Sequence, residues 1–123
     1  MDNKNGKIIW GFKKAFDGFR ETIIKEKSFN VMVIIAVVVI FFLFYFPTSR
    51  TEKAVIFATI FLVLALELIN STVERIMDFV APEKDERVRI IKDLMAAIVL
   101  FTCFGAVVIG FIVFYPYFRL FFP

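Results

Sequence analysis

The sequence contains no histidine and a single cysteine. Without histidine, a group that accepts a proton must be a carboxylate, a lysine or a tyrosine. The single cysteine, Cys103, excludes an intramolecular disulfide and a cysteine-rich metal site, and its apolar neighbours predict a buried structural thiol. Histidine-based catalysis and cysteine-based metal binding are therefore excluded.

Two common phosphate-binding loops are also missing, because neither G-x-x-x-x-G-K-[ST] nor G-x-G-x-x-G occurs. A bound nucleotide would need an unrelated arrangement. No internal repeat or low-complexity linker divides the chain, so we expect residues 1–123 to form a single membrane domain. The first residues have no unbroken apolar stretch and no small-residue cleavage site, which predicts a start without a signal peptide.

Apolar residues make up 60% of the sequence, and phenylalanine alone occurs 18 times. This composition is too apolar for an ordinary soluble protein of this length, and the apolar runs alternate with charged clusters. We therefore predict an all-α integral membrane protein, whose helices satisfy their own backbone hydrogen bonds in hydrocarbon. The net charge of +3 is modest. The basic residues flank the apolar runs, which favours anionic lipid headgroups over nucleic acid as partners.

The pattern predicts an N-terminal surface helix and three membrane helices. The surface helix covers about 7–25, where apolar and charged residues fall on opposite sides of a helical wheel. A charged helix packed on another protein is the alternative for this segment. The predicted membrane helices are 29–46, 52–80 and 90–118.

Lysine and arginine are concentrated before residue 28 and between residues 75 and 92. The connection near residue 50 and the C-terminal tail hold few of them. The bias of basic residues toward the inner side of a membrane predicts a cytoplasmic N-terminus and an external C-terminus.

One polar stripe interrupts the second predicted span, in the stretch LELINSTVERIMD at residues 66–78. At ~100° per residue, Glu67, Glu74 and Asp78 lie within about 20° of one direction, with Asn70 about 60° to one side. Glu67 should lie within the membrane, where a carboxylate is a candidate functional group by default. The alternatives are interhelical hydrogen bonding by Glu67 and Asn70, and a solvated helix end for the other two.

The stripe suggests a division of chemical roles. Glu67 is the candidate general base. Glu74, with Glu26 just before the first span, is a candidate for binding Mg²⁺ whose remaining ligands come from nucleotide phosphates. Lys92 enters the third span beside Asp93 and is placed either to neutralise a phosphate or to snorkel toward the headgroups.

Three segments resemble the small prokaryotic diacylglycerol kinase family, which includes the undecaprenol kinases. They are residues 67–78, the Lys92-Asp93 pair and GFRETIIKEKSF at 18–29. The resemblance implies a homotrimer of three-span subunits in the bacterial inner membrane. It also implies transfer of the γ-phosphoryl group of MgATP to a lipid hydroxyl.

Carried over by position, the resemblance assigns roles to seven residues. Glu67 is the general base and Asn70 its polar partner. Glu26 and Glu74 bind Mg²⁺, while Asp78, Lys92 and Asp93 contact or organise ATP.

The acceptor lipid stays open between diacylglycerol and undecaprenol. The chain departs from the family pattern at Ser28, where asparagine is frequent, at Met32, which lies in a region that is often polar, and at Thr72, where alanine is usual. It also lacks the Glu-Ala-Ala-Phe-type stretch of the proteobacterial enzymes, which favours an undecaprenol-type substrate. The alternative function is a small oligomeric channel or transporter with a polar pathway at Glu67 and Asn70.

Overall fold

The computed structural model of the chain describes residues 4–81 and 83–123. The elements in these residues are α-helices joined by short connections: α1 Lys4–Lys25, α2 Lys27–Tyr45, α3 Arg50–Val80 and α4 Glu86–Phe121. The last three are long and apolar enough to cross a membrane. The prediction of an all-α membrane protein with three spans and an N-terminal helix is therefore confirmed.

The helix ends follow local chemistry. A single extended residue, Glu26, separates α1 from α2. A capping box starts α3, because the Ser49 hydroxyl accepts from Glu52 N at 3.1 Å and Glu52 Oε1 accepts from Ser49 N at 2.8 Å. At the start of α4, Asp85 Oδ1 accepts from Arg87 N at 2.8 Å.

Three predicted boundaries differ from the structure by three or more residues. The first is the start of α1, at Lys4 rather than near residue 7. α4 begins at Glu86 rather than near residue 90, because the Asp85 cap satisfies a backbone donor at the charged start. It also continues past Pro116 to Phe121, three residues beyond the predicted end. Membrane helices tolerate an internal proline when the surrounding structure compensates for the missing hydrogen bond.

The best-buried side chains come from all three spanning helices. Leu43 of α2, Ile56 of α3 and Val113 of α4 form one hydrophobic cluster. Close by in sequence, Phe46 packs against Phe118, with ring centroids 5.0 Å apart. Because these contacts join the C-terminal parts of α2 and α4 to the start of α3, we call this region the aromatic end.

At the opposite ends of the three spans lies the acidic end, defined by Glu26, Glu67, Glu74, Asp78 and Lys92. Along its length α3 packs against α4 and α2, while α1 packs against α2. Most large apolar side chains of α2 and α4 remain exposed on the single chain. Such surfaces are stable in contact with lipid or with other membrane helices.

A cavity of about 320 Å³ lies between the three spanning helices. Its lining is almost entirely apolar and includes Met32, Leu64, Cys103 and Phe114. Leu64 lies one turn before Glu67 on α3. The cavity therefore extends from the vicinity of the acidic end into the membrane-spanning part of the chain.

Candidate active site

Glu67 is the buried carboxylate of the polar stripe, with 4% of its surface exposed. The hydroxyl of Ser28, in the first turn of α2, donates to Glu67 Oε2 over 3.1 Å. A buried ionisable group normally needs such a partner, because desolvation of an unpaired polar group is unfavourable. The site is thus assembled from two helices, through residues that are 39 positions apart in sequence.

Asn70 lies one turn after Glu67 and is half-buried. Its spacing places it on the flank of the same helix surface. Within the described residues, its side chain makes no hydrogen bond. The structure therefore places Asn70 near Glu67 along α3 without joining the two side chains.

Arg75 connects the end of α1, the start of α2 and α3. Its guanidinium donates to Glu26 Oε1 over 3.4 Å, and its Nη1 lies 3.8 Å from Glu21 Oε1. Glu21 also accepts from Lys25 Nζ at 3.0 Å. The pKa of Glu21 is lowered by the Lys25 hydrogen bond first, and then by the charges of Lys25 and Arg75. This exposed cluster links the end of α1 to α3 at the acidic end.

The contact between Lys92 and Asp78 joins α4 to α3 at the acidic end. Lys92 Nζ donates to Asp78 Oδ1 over 2.6 Å, across the connection between α3 and α4. Glu74, one turn earlier on α3, also interacts electrostatically with Lys92. Three of the residues singled out from the sequence are therefore neighbours in the structure.

Asp93 takes a different partner. Its carboxylate accepts from Arg89 Nη1 over 2.8 Å, one turn earlier on α4, and Arg89 also pairs with Glu86. Asp93 and Lys92 are adjacent in sequence but point to different partners. The structure thus places Asp93 in a separate, exposed ion-pair cluster.

The predicted magnesium ligands Glu26 and Glu74 both lie at the acidic end. Glu26 does not cap its own helix with its side chain, and Glu74 is exposed. No group of three or more potential metal-binding side chains occurs in residues 4–81 and 83–123. Two carboxylates suit Mg²⁺ that takes its other ligands from phosphates and water, rather than a cage built entirely from protein groups.

Sequence reasoning missed two contributors, Ser28 and Arg75. The sequence marks Ser28 only as a departure from the family pattern, and Arg75 only as a positive charge. A hydroxyl two residues beyond Glu26 was the available signal for Ser28. Its partner is 39 residues away, so no local spacing indicates the contact.

Comparison with known proteins shows the family to which the chain belongs. A family model described as prokaryotic diacylglycerol kinase matches residues 13–114. A diacylglycerol kinase from Pseudomonas aeruginosa is 34% identical over 95 residues, covering 77% of this chain and 72% of the relative. A diacylglycerol kinase from Haemophilus influenzae is 28% identical over 109 residues, covering 88% and 92%. One from Helicobacter pylori is 31% identical, covering 71% and 73%.

The matched region includes α2, α3, most of α4 and every site residue described above, and it confirms the resemblance seen in the sequence. Relatives that share about a third of their residues over most of both chains support the same assignment. The chain is therefore a membrane-embedded lipid kinase that belongs to the prokaryotic diacylglycerol kinase family.

Proposed function

We propose that this chain transfers the γ-phosphoryl group of ATP, in the presence of Mg²⁺, directly to the hydroxyl of a membrane lipid alcohol. The observation that carries the proposal is a buried carboxylate, Glu67, on the same helix as the exposed Glu74 and Asp78. A lipid hydroxyl needs a base within the membrane, whereas a nucleotide needs charged groups at the water interface. One helix supplies both.

In the proposed reaction, Glu67 accepts the proton of the lipid hydroxyl. The hydroxyl oxygen forms a bond to the γ-phosphorus, the bond from that phosphorus to the β-γ bridging oxygen breaks, and ADP leaves. Asn70 positions the base and the acceptor. Positioning and charge neutralisation carry most of the acceleration in phosphoryl transfer.

Glu26 and Glu74 would hold the magnesium ion, which neutralises phosphate charge when bound. Lys92 and Asp78 would contact and organise ATP, with Asp93 in a supporting position. The 2.6 Å bond between Lys92 and Asp78 supports this role, because it keeps the ammonium at the acidic end. Arg75 adds a second cation beside Glu26.

The lipid would enter with its hydroxyl at Glu67 and its apolar chain in the cavity of about 320 Å³. The three relatives named diacylglycerol kinase support diacylglycerol as the acceptor. The missing Glu-Ala-Ala-Phe-type stretch supports undecaprenol. The two alcohols therefore need to be tested separately.

We further infer a homotrimer in the bacterial inner membrane, with the acidic end and the N-terminus cytoplasmic and the C-terminus external. The basic residues near the acidic end support this orientation. The exposed apolar surfaces of α2 and α4 provide area for neighbouring subunits. The protein mass measured by light scattering in detergent, after correction for the detergent, should equal three chains; a mass of one chain would contradict the trimer.

Lipid phosphorylation is tested with purified protein in lipid-containing micelles and γ-labelled ATP. Diacylglycerol and undecaprenol are supplied in separate reactions, with and without Mg²⁺. We expect Mg²⁺-dependent labelling of at least one lipid, and a loss of about 10²–10⁴-fold for Glu67→Gln, which keeps the side-chain shape but cannot accept the proton. If folded wild-type protein labels neither lipid, the proposed function is wrong.

A further inference from the structure

The contact between Ser28 and Glu67 has no role in the chemistry assigned so far. Ser28 Oγ lies 3.1 Å from Glu67 Oε2. Within residues 4–81 and 83–123, no other side chain donates a hydrogen bond to this carboxylate. The two carboxylate oxygens are therefore unequal, because Oε2 is held by a hydroxyl and Oε1 is not.

Ser28 itself is exposed, and residues on either side of it fix the first turn of α2. The next residue, Phe29, is 2% exposed and anchors the first turn of α2 in the protein interior. On the other side, Glu26 bonds to Arg75, which lies two turns beyond Glu67 on α3. The first turn of α2 is thus anchored by buried Phe29 on one side of the Ser28 hydroxyl and linked to α3 by Glu26 and Arg75 on the other.

We propose that Ser28 is a positioning residue that orients the Glu67 carboxylate for proton transfer. This inference rests on the proposed function, in which Glu67 is the general base. The Ser28 hydroxyl holds Oε2, so Oε1 faces the lipid hydroxyl and accepts its proton. Ser28 keeps its own proton and does not touch the reacting atoms.

The physical reason is the freedom of a glutamate side chain. Without a partner, the carboxylate rotates about its last bond, and only part of the population presents an oxygen in the geometry for proton transfer. A charge-assisted hydrogen bond restricts this rotation. Correct alignment of reacting groups is a large part of catalysis when the protein contributes mainly positioning.

Ser28→Ala removes the hydroxyl and introduces no charge. We expect kcat to fall about 10- to 100-fold, the range for loss of a hydrogen bond to a charged group. KM for ATP should change less than about twofold, because the interaction acts on the chemical step and not on nucleotide binding. A purely structural role would instead lower the unfolding temperature without this selective loss of kcat.

Ser28→Thr restores a hydroxyl at the same position and should recover most of the lost kcat. Thr72→Ala is the matched control, since its exposed hydroxyl donates to Leu68 O of its own helix at 2.8 Å. That variant should retain wild-type kcat. All variants are compared at equal folded fraction, measured by thermal unfolding.

The inference is overturned if Ser28→Ala retains wild-type kcat, or if Ser28→Thr is as slow as Ser28→Ala. These results are distinct from failure of the proposed function. When only the role of Ser28 is wrong, wild-type protein still phosphorylates a lipid and Glu67→Gln is still inactive. If wild-type protein phosphorylates no lipid, it is the proposed function that fails.

Discussion

The ammonium of Lys92 lies 2.6 Å from Asp78 Oδ1 and joins α4 to the last turns of α3. Most of the Asp78 side chain is exposed, with 68% of its surface accessible, so water screens the pair. Exposed ion pairs of this kind contribute little to folding stability. In the proposed function, the contact instead holds the Lys92 ammonium ready for the phosphates of ATP.

We therefore expect Lys92→Met to impair nucleotide use more than folding. Loss of a charged contact to phosphate should lower kcat/KM for ATP about 10- to 100-fold. The unfolding temperature should remain close to that of wild type. Steady-state kinetics test the loss of kcat/KM, and thermal unfolding tests the unchanged stability. Lys84→Met, in the exposed connection between α3 and α4, is the control. Wild-type kinetics in Lys92→Met would contradict the assigned role.

Arg75 competes with any cation that approaches Glu26, because its guanidinium already contacts that carboxylate at 3.4 Å. In Arg75→Gln we expect half-maximal activity at a Mg²⁺ concentration about two- to fivefold lower, the range for removing an exposed ion pair. A magnesium titration of lipid phosphorylation measures this change. Arg119→Gln, near the C-terminus, serves as the control, and an unchanged Mg²⁺ dependence in Arg75→Gln would argue against Glu26 as a ligand.

Tyr117 stabilises the aromatic end through its hydroxyl, which donates to Glu52 Oε1 over 2.6 Å. Tyr117→Phe removes this bond and leaves the ring stacked on Phe46, so the unfolding temperature should fall while activity persists. Tyr115→Phe is the matched control, because its hydroxyl has no hydrogen bond within the described residues. Equal unfolding temperatures for the two variants would rule out a stabilising role for the Tyr117–Glu52 bond.

Leu43 has 0% of its surface exposed and packs in the cluster with Ile56 and Val113. Leu43→Ala should reduce the free energy of unfolding by about 2–5 kcal/mol, because it removes buried contacts and leaves a cavity. Leu100→Ala changes a side chain that is 72% exposed and should cost much less. Denaturant unfolding in micelles measures the free energy of unfolding of both variants. Equal decreases would contradict the placement of Leu43 in the core.

The pKa of Asp85 is lowered by its hydrogen bonds with the side chain and then the backbone of Arg87. Because the folded-state pKa lies below its ordinary value of 3.8, this group stabilises the folded chain above about pH 4. The contribution is lost as the pH falls through the lowered pKa. Wild type should therefore exceed Asp85→Ala in unfolding temperature at pH 7, and the difference should shrink in acid as the pH falls through the lowered pKa. A difference that does not change with pH would contradict this assignment.

The helices and the membrane assignment were predictable because they depend on local properties of the chain. Runs of apolar residues of sufficient length indicate spans in any membrane protein, and the lack of glycine and proline between Pro47 and Ala81 indicates one long helix. The alignment of Glu67, Glu74 and Asp78 followed from helix periodicity alone. The exact ends were less predictable, as α4 shows, because caps and an internal proline shift them.

The sequence by itself therefore determined the four helices, the three spans and the helix surface that carries the carboxylates. Only the tertiary structure decided that Ser28 bonds to Glu67, that Arg75 pairs with Glu26, and that Lys92 pairs with Asp78. The physical reason is the distance along the chain over which each property acts. Hydropathy and periodicity act over one or two turns of a helix, whereas side-chain partners depend on how separate helices are rotated and shifted against one another.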